Sequence, residues 1–241
     1  MGAELLNLNG PVTTEDFASL LDGRSPAGEL LTQNRASNRR SGFDLTLSAP
    51  KSVSIAALAL DDAQIREAHA RAVRDTLTRA EGLAQSRIKR KGKVTFVNTH
   101  NAIFATFEHT GNRNLDPQLH THSILMNATQ LSGKWRSLYA REIFQRIKRL
   151  GKFYRDRLSD LVRALGHKLR TAGEYWELSS IPQRLIDRFS SRKQEILEFV
   201  GENASSRAKK YAALITRNPK QSSETYQKPV RAAEKVTDRE R

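Results

Sequence analysis

The sequence of 241 residues contains no cysteine, which excludes a disulfide scaffold and any metal site built on thiolates. It also lacks an apolar run approaching the length of about 18 residues that a membrane-spanning helix needs. Its first stretch is acidic and polar, where a secretory signal peptide would be basic and then apolar. These absences predict a soluble, cytoplasmic protein. The length of the chain fits one domain, or at most two small ones.

Positive charge is the strongest bias in the composition. Lysine and arginine number 41, against 26 aspartates and glutamates, which gives a formal net charge of +15. An excess of this size predicts a polyanionic partner, and nucleic acid is the first candidate. The alternative at this point is a generally basic, well-solvated surface with no such partner.

Helical and strand-like patterns both occur along the chain, which predicts an α+β fold. A helix capped by Thr13 should open the chain and end at Gly23. Residues 43–47 alternate between apolar and polar, which predicts a half-buried strand with Asp44 on the polar face. Further strands are predicted over 94–97, 102–107, 118–127, 134–138 and 175–178.

Longer apolar periodicities predict helices over 51–60, 61–83, 140–165 and 182–200, the first with Pro50 in its first turn. From Arg207 onward the chain is basic and poor in large apolar residues, so we expect this tail to fray. We therefore expect one domain over 1–203 and a basic, partly disordered tail over 204–241. Within the domain we distinguish an N-terminal helix and basic loop (1–41), a sheet core with the metal site (42–139) and a helical part (140–203).

Three of the six histidines lie within residues 109–122, and their spacing suggests a metal site. His120 and His122 are two residues apart, so they share one face of a strand. His109 ends the preceding strand, and a hairpin of the two strands would bring the three imidazoles together. Neutral imidazoles with open coordination positions suit a divalent metal that acts as a Lewis acid. The alternative is that His120 and His122 simply lie on a solvated strand face.

Asp44 lies on a different predicted strand and faces away from its apolar neighbours. A carboxylate in this position could orient a metal-binding histidine through its second ring nitrogen. It could instead serve as a general base, or be a solvated aspartate without a chemical role.

Two long motifs resemble those of conjugative relaxases of the TrwC/TraI type, a MobF-like group within the HUH endonuclease superfamily. The first motif is SGFDLTLSAPKSVS over residues 41–54, and the second is DPQLHTH over residues 116–122. Both occur in the order found in that family, and the resemblance extends over about residues 2–240.

The resemblance implies an α+β fold in which helices flank a central antiparallel sheet. It also implies that His109, His120 and His122 hold a divalent metal over the scissile phosphate, and that Asp44 supports one histidine or accepts a proton. We expect the metal to be Mg²⁺ or Mn²⁺, with Zn²⁺ and Ni²⁺ as alternatives. The implied partner is single-stranded or hairpin origin-of-transfer DNA, joined by other conjugation proteins, and the protein is expected to be a monomer without membrane insertion.

The implied reaction is a strand-specific transesterification, in which a tyrosine hydroxyl attacks the phosphate and leaves a 5′-phosphotyrosine and a free 3′-hydroxyl. In the family this tyrosine precedes the segment that matches Gly2-Ala3-Glu4, whereas the first tyrosine here is Tyr139. The sequence also has no P-loop motif of a helicase. We therefore expect a relaxase domain without its nucleophile segment and helicase. The alternatives are an origin-binding remnant that cannot cut, and a metal phosphodiesterase that uses water.

Ten basic residues are candidate phosphate contacts. They are Arg35, Arg39, Arg40, Lys51, Arg87, Lys89, Arg90, Lys91, Lys93 and Arg113. Gly92 predicts a turn within the basic segment 87–93, whose hairpin tip could then enter a groove of a DNA hairpin. The alternative is that this segment is simply a solvated run of charges. Phe43, Trp135 and Trp176 could stack on unpaired bases or belong to the core.

Overall fold

The computed structural model describes residues 2–8, 10–32, 39–173 and 175–216, and these residues alternate between helices and strands. A 3-10 turn over Glu4–Leu6 precedes the first helix. The helices are α1 (Thr14–Leu21), α2 (Lys51–Ala59), α3 (Ala63–Glu81), α4 (Arg141–Gln145), α5 (Ile147–Ala164), α6 (Gln183–Arg188), α7 (Ser191–Val200) and α8 (Ser206–Ile215). The strands are β1 (Gly42–Ser48), β2 (Gln85–Arg90), β3 (Lys93–Asn98), β4 (Phe104–Gly111), β5 (Pro117–Met126), β6 (Thr129–Leu131), β7 (Lys134–Arg136), β8 (Leu138–Tyr139), β9 (Leu169–Ala172) and β10 (Tyr175–Leu178).

The strands of the described residues form two three-stranded sheets, in the orders β1-β5-β4 and β3-β2-β8, and the two-stranded pairs β6-β7 and β9-β10. In the first sheet, β1 and β5 are antiparallel. Ala49 N–H donates to the Leu119 carbonyl at one end, and Asn127 N–H donates to the Ser41 carbonyl at the other. The predicted α+β class with an antiparallel sheet is therefore confirmed. No helix in the described part of the chain is long and apolar enough to cross a membrane.

The described residues form two compact units. Unit 1 lies within Met1–Leu47, Ala70–Glu108 and Thr121–Leu158. Its core has two apolar clusters, one that includes Leu125 and Ile143 and another that includes Leu31 and Met126, all without solvent exposure. Unit 2 lies within Ser48–His69, His109–His120 and Ser159–Arg241.

Unit 2 is organised around α2, whose residues from Ser52 to Ala59 are all buried. Two serine hydroxyls inside this helix serve as acceptors for strands that pack on it. Ser52 Oγ accepts from Leu178 N–H at 2.7 Å, and Ser54 Oγ accepts from Leu119 N–H at 3.0 Å. A buried backbone N–H without such a partner would be costly, so these small polar side chains hold β10 and β5 against the helix.

Several predicted elements form as expected. Thr13 caps α1 by accepting a hydrogen bond from Asp16 N–H at 3.1 Å. Pro50 occupies the N-cap of α2, one position before the predicted first turn. The apolar face predicted for α3 is buried from Ile65 to Ala80.

The predicted helix over 140–165 is instead two helices. It breaks at Arg146, whose N–H is shared between the carbonyls of Glu142 and Ile143 at 3.2 Å each. The break allows Ile143 and Leu150 to be buried, while Ile147, which lies on the predicted apolar stripe, is 40% exposed. The apolar spacing is almost regular across this break, so periodicity alone does not reveal it.

The predicted helix over 182–200 is also divided, into α6 and α7. Ser190 Oγ donates to the Ile186 carbonyl at 2.6 Å and ends α6, and buried Phe189 fills the corner. The start of the tail is helical rather than frayed, since α8 covers Ser206–Ile215. Arg192 of α7 donates to the carbonyls of Ala213 and Thr216, so a tertiary contact fixes this helix. Residues 217–241 lie outside the described ranges.

We expect Glu81→Ala to destabilise the protein by about 2 kcal/mol, because it leaves two buried N–H groups without an acceptor. The carboxylate is 8% exposed, and its Oε1 accepts from Gly2 N–H and Ala102 N–H at 2.9 Å each. Urea denaturation gives the free energy of unfolding, with Glu67→Ala on the exposed side of α3 as the control. Equal losses in the two variants would contradict the structural role of Glu81.

Candidate metal centre

The loop between β4 and β5 sets the register of the histidine hairpin. Asn112 Oδ1 accepts from the N–H groups of Asn114 and Asp116 at 2.9 and 3.0 Å, and Asn112 Nδ2 donates to Asp116 Oδ2 at 3.0 Å. Leu115 adopts a left-handed conformation with φ of 65°. Such a side-chain-closed turn fixes the loop in one conformation, so the end of β4 meets the start of β5 in a single register.

The three predicted histidines lie together on this hairpin. His109 is on β4, while His120 and His122 are on β5. Each offers one ring nitrogen, and these nitrogens lie within 4.8 Å of one another. Thr121, which separates the two β5 histidines, is buried at 5% exposure, so the histidines point to the opposite face of the strand. The histidines thus form a convergent donor set that can hold a divalent metal ion.

Hydrogen bonds define which nitrogen of two histidines is available. His120 Nδ1 donates to the Gln118 carbonyl at 2.9 Å, and His122 Nδ1 donates to Asp44 Oδ2 at 2.7 Å. Since Nδ1 carries the proton in both rings, Nε2 keeps its lone pair and is the nitrogen that can coordinate a metal. Acceptors of this kind also fix the ring orientation and make the ligand nitrogen more basic.

The structure thus places Asp44 where it can orient a histidine, one of the two roles left open by the sequence. Thr46 Oγ1 lies 3.3 Å from Asp44 Oδ1 and 3.2 Å from His122 Nδ1, so it contributes to the same small network. Asp44 and His122 both keep partial exposure, with side-chain values of 45% and 33%.

Sequence analysis missed His69, a fully buried histidine of α3. Burial, together with smaller contributions from the neighbouring charges of His120 and Arg66, lowers its pKa to about 4. His69 is therefore neutral at physiological pH and adds no positive charge next to the metal-binding face. An isolated histidine on an apolar helix face gives no signal in the sequence that distinguishes it from an ordinary core residue.

Lys51, a predicted phosphate contact, has a structural partner in unit 2. Its Nζ donates to the Pro117 carbonyl at 2.9 Å, at the first residue of β5. Burial lowers the pKa of this ammonium, while Asp116 and Glu177 act in the opposite direction. The contact fixes the start of the strand that carries two of the histidines; direct contact of Lys51 with phosphate stays a prediction.

The other predicted basic residues divide into two groups. Arg39 donates to the Leu21 carbonyl and is half-buried, and the Arg40 guanidinium lies 5.2 Å from the centre of the Phe43 ring. Arg113 is half-buried in the loop after β4, and Arg35 lies outside the described residues. The remaining five are exposed on the hairpin of β2 and β3, which we call the basic ribbon: Arg87, Lys89, Arg90, Lys91 and Lys93.

The turn of the basic ribbon is the one that Gly92 predicts. Lys91 and Gly92 both have positive φ, at 47° and 80°, as a two-residue turn of type I′ requires. Of the proposed stacking aromatics, Phe43 and Trp135 pack against the two apolar clusters of unit 1, and Trp176 is half-buried in β10. Phe43 and Trp135 are therefore core residues, the second of the two alternatives that the sequence left open.

An α+β domain with a convergent three-histidine cluster belongs to the class of metal-binding domains, and comparison with known proteins gives the family. The chain belongs to the TrwC relaxase family, whose sequence profile matches residues 1–238. It is 38% identical to the multifunctional conjugation protein TraI of Escherichia coli K12 over 233 residues, which cover 91% of this chain and 13% of TraI. The chain thus spans about an eighth of that relative's length.

Solved structures of the conjugative relaxase TrwC are similar to this chain in fold as well as in sequence. The metal-bound complex of TrwC with oriT DNA superposes with a TM-score of 0.89 at 35% identity, and the match covers 98% of this chain and 86% of the TrwC chain in that structure. The complex of TrwC with a 27-mer DNA comprising the recognition hairpin and the cleavage site superposes with a TM-score of 0.89 at 36% identity. That match covers 98% of this chain and 89% of the TrwC chain in the structure. These comparisons confirm the family resemblance inferred from the two motifs, and with the histidine cluster they support a site for a divalent metal.

We expect the double substitution His120→Ala and His122→Ala to abolish stoichiometric binding of one divalent ion, since a single imidazole remains. Asp44→Asn should weaken binding by about 10- to 100-fold, because a neutral amide orients and polarises His122 less than the carboxylate does. Calorimetric titration with Mn²⁺ measures both effects. Asp160→Asn, at an exposed position on α5, is the matched control. Retention of full affinity in the double variant would contradict the assignment of the site.

Proposed function

We propose that this chain is the DNA-processing domain of a conjugative relaxase and acts on single-stranded origin-of-transfer DNA by transesterification. The observation that carries the proposal is the set of three histidines whose ring nitrogens lie within 4.8 Å of one another, in a family whose member TrwC has been solved in a metal-bound complex with oriT DNA. The activity, substrate and partners of the much longer TraI relatives are extended to this chain only as part of this proposal.

The three imidazoles fit a divalent ion, and their chemistry favours some divalent ions over others. Three imidazoles leave coordination positions open for phosphate oxygens and water. Imidazole nitrogen suits Mn²⁺, Ni²⁺ and Zn²⁺ better than Mg²⁺, which prefers oxygen ligands. We therefore rank Mn²⁺ above Mg²⁺ among the two ions first expected. The bound ion would polarise the scissile phosphate and stabilise the charge that develops on its oxygens.

The roles of the chain's own residues follow from their contacts. His109, His120 and His122 hold the ion, and Asp44 keeps His122 in the tautomer that exposes Nε2. The Gln118 carbonyl does the same for His120. In this arrangement Asp44 acts through His122. Arg113, on the loop beside His109, and the basic ribbon supply the phosphate contacts.

The transesterification needs a tyrosine hydroxyl. Its oxygen loses a proton and bonds to phosphorus as the bond to the 3′ oxygen breaks, and the 3′ oxygen takes up one proton, so that the protons balance. Burial raises the pKa of Tyr154, which is 1% exposed, so its hydroxyl is not available. The Tyr139 ring is stacked on Phe96, and Tyr175 and Tyr211 are exposed in unit 2. Tyr226 lies outside the described residues. The family resemblance assigns the attacking group to none of these five tyrosines.

DNA binding should favour single-stranded or hairpin DNA and depend steeply on salt. If six phosphates are contacted, affinity should fall by about 10³-fold or more between about 50 and 200 mM salt, because each contact releases counterions. Fluorescence anisotropy with labelled oligonucleotides measures both properties. The pair Arg87→Gln and Lys89→Gln should reduce the salt slope by about 2, while Arg188→Gln with Lys193→Gln in unit 2 should leave it unchanged. A flat salt response would contradict the proposal.

The 241-residue chain alone should form no covalent adduct with origin DNA, since metal-bound imidazoles polarise phosphate but supply no attacking oxygen. Fusion of the tyrosine-bearing segment of TrwC ahead of Gly2 should produce the adduct, and Asp44→Asn in the fusion should reduce it by about 10- to 100-fold. A denaturing gel with labelled single-stranded DNA and Mn²⁺ detects the shifted band.

The same gel distinguishes the other candidate activities. A covalent band from the chain alone would show that one of its own tyrosines attacks, and Tyr139 would be the first to replace. Cleaved DNA without a protein adduct would identify a phosphodiesterase that uses water. Tight, metal-dependent binding by the fusion without cleavage would identify an origin-binding remnant.

A further inference from the structure

An exposed phenylalanine of the basic ribbon stacks on a half-buried tyrosine of the neighbouring strand β8. Phe96 of β3 and Tyr139 of β8 stack with ring centres 4.2 Å apart and an interplanar angle of 24°. Phe96 is 47% exposed, although a large apolar side chain gains most when it is removed from water. Its exposure contrasts with Phe17, Phe43 and Phe107, each of which packs against an apolar cluster of unit 1.

The strand register places this pair among cations. In the antiparallel pairing of β2 with β3, Phe96 is opposite Arg87 and Val94 is opposite Lys89, while β2 pairs with β8 so that Gln85 is opposite Tyr139. Residues directly opposite each other share a face, as do residues two apart on one strand. Phe96, Tyr139, Arg87 and Lys89 therefore lie on a single face of this sheet.

A third cation borders the pair, and acidic residues are absent from the ribbon. Fully exposed Arg141 follows β8, and a hydrogen bond that it donates to the Tyr139 side chain raises the pKa of its guanidinium. Residues 85–98 contain five lysines and arginines but no aspartate or glutamate. An anion that approaches this face therefore meets no repelling carboxylate from either ribbon strand.

Exposed aromatic rings flanked by cations are the chemistry that binds unpaired nucleotides. A base stacks on an aromatic ring through its π-face, while neighbouring lysines and arginines contact the phosphates. In a paired duplex the faces of the bases are covered by the neighbouring base pairs. A site that contacts only duplex phosphates therefore needs cations but no exposed aromatic ring. The combination of ring and charge thus favours a single-stranded segment over a continuous duplex.

We propose that Phe96 and Tyr139, with Arg87 and Lys89, form a stacking site for an unpaired nucleotide of single-stranded DNA. The inference rests on the proposed DNA-binding function and specifies which part of the DNA this face of the ribbon holds. Phe96 supplies the exposed ring, Tyr139 supports it from β8, and the two cations contact the flanking phosphates. The site is independent of the three histidines and requires no metal.

The test uses the full chain and short oligonucleotides that carry 2-aminopurine, a base whose fluorescence is quenched when it stacks on an aromatic ring. A hairpin with an unpaired extension is compared with a fully paired duplex of the same length. We expect quenching at one or a few unpaired positions. Phe96→Leu should abolish this quenching and weaken binding of the single-stranded DNA by about 10-fold, with little change in salt slope, because it removes stacking and no charge.

Matched variants separate stacking from folding and from charge. Phe96→Tyr keeps a ring and should retain both quenching and affinity. Phe199→Leu replaces another exposed phenylalanine, on α7 and 58% exposed, and should behave as the original chain. Arg87→Gln should instead reduce the salt slope by about 1. Thermal unfolding of Phe96→Leu should match that of the original chain, since the exposed side of the ring contributes little to the core.

The outcomes distinguish this inference from the proposed function. If the original chain binds neither single-stranded nor hairpin DNA, the proposed function fails. If it binds DNA but Phe96→Leu retains quenching and affinity, the stacking site alone is wrong. An equal loss of affinity for the fully paired duplex would also overturn it, because such a loss would assign Phe96 to the shape of the ribbon.

Discussion

Strand β5 must bury one of its faces in the core and present histidines on the other, and the rest of the described structure is arranged around that constraint. One face of the strand carries Leu119, Thr121 and Ser123 into the interior, and the other carries the histidines. Because side chains alternate with a period of two, a slip of one residue would bury the histidines and expose the core residues. The register of β5 is therefore fixed from several directions.

The contacts that fix this register come from neighbouring elements. The Leu119 backbone is hydrogen-bonded through both its groups, to Ala49 N–H and to Ser54 Oγ. Lys51 binds the Pro117 carbonyl, and Asn112 closes the preceding loop. The motif around residues 48–54 is thus a structural support of the metal-binding strand. Its lysine shows that a cation in a basic protein can contribute to the fold through a hydrogen bond to the backbone.

Local patterns predicted much of the fold and most of the candidate site. Alternation found β1 and placed Asp44 on the polar face, and the spacing of His120 and His122 defined the metal-binding face. These signals are carried by residues close in the sequence, so a single chain reveals them. The breaks at Arg146 and Phe189 leave the apolar spacing almost regular, so periodicity does not reveal them. The helix α8 is fixed by a contact between residues distant in sequence, that of Arg192 with Thr216, which leaves no periodic signal.

The same reason explains why the sequence does not reveal the proposed stacking site. Phe96 and Tyr139 are separated by 43 positions, and only the strand order β3-β2-β8 brings them onto one face. Conversely, Phe43 and Trp135 appear equally suited to stacking in the sequence but pack against apolar clusters. An aromatic residue in isolation indicates neither role, since burial is a property of the assembled sheet.

The two-residue turn at Lys91 and Gly92 limits how the ribbon can change in length. A turn with positive φ at both residues joins strands that grow in matched pairs, so an insertion in one strand alone would create a bulge. One added residue in each strand would turn every side chain nearer the tip to the opposite face. Two added residues in each strand would move the tip outward by about 7 Å and leave each side chain on its original face. Ribbons of related proteins that present their tip cations to the same ligand should therefore differ in length by even numbers of residues per strand.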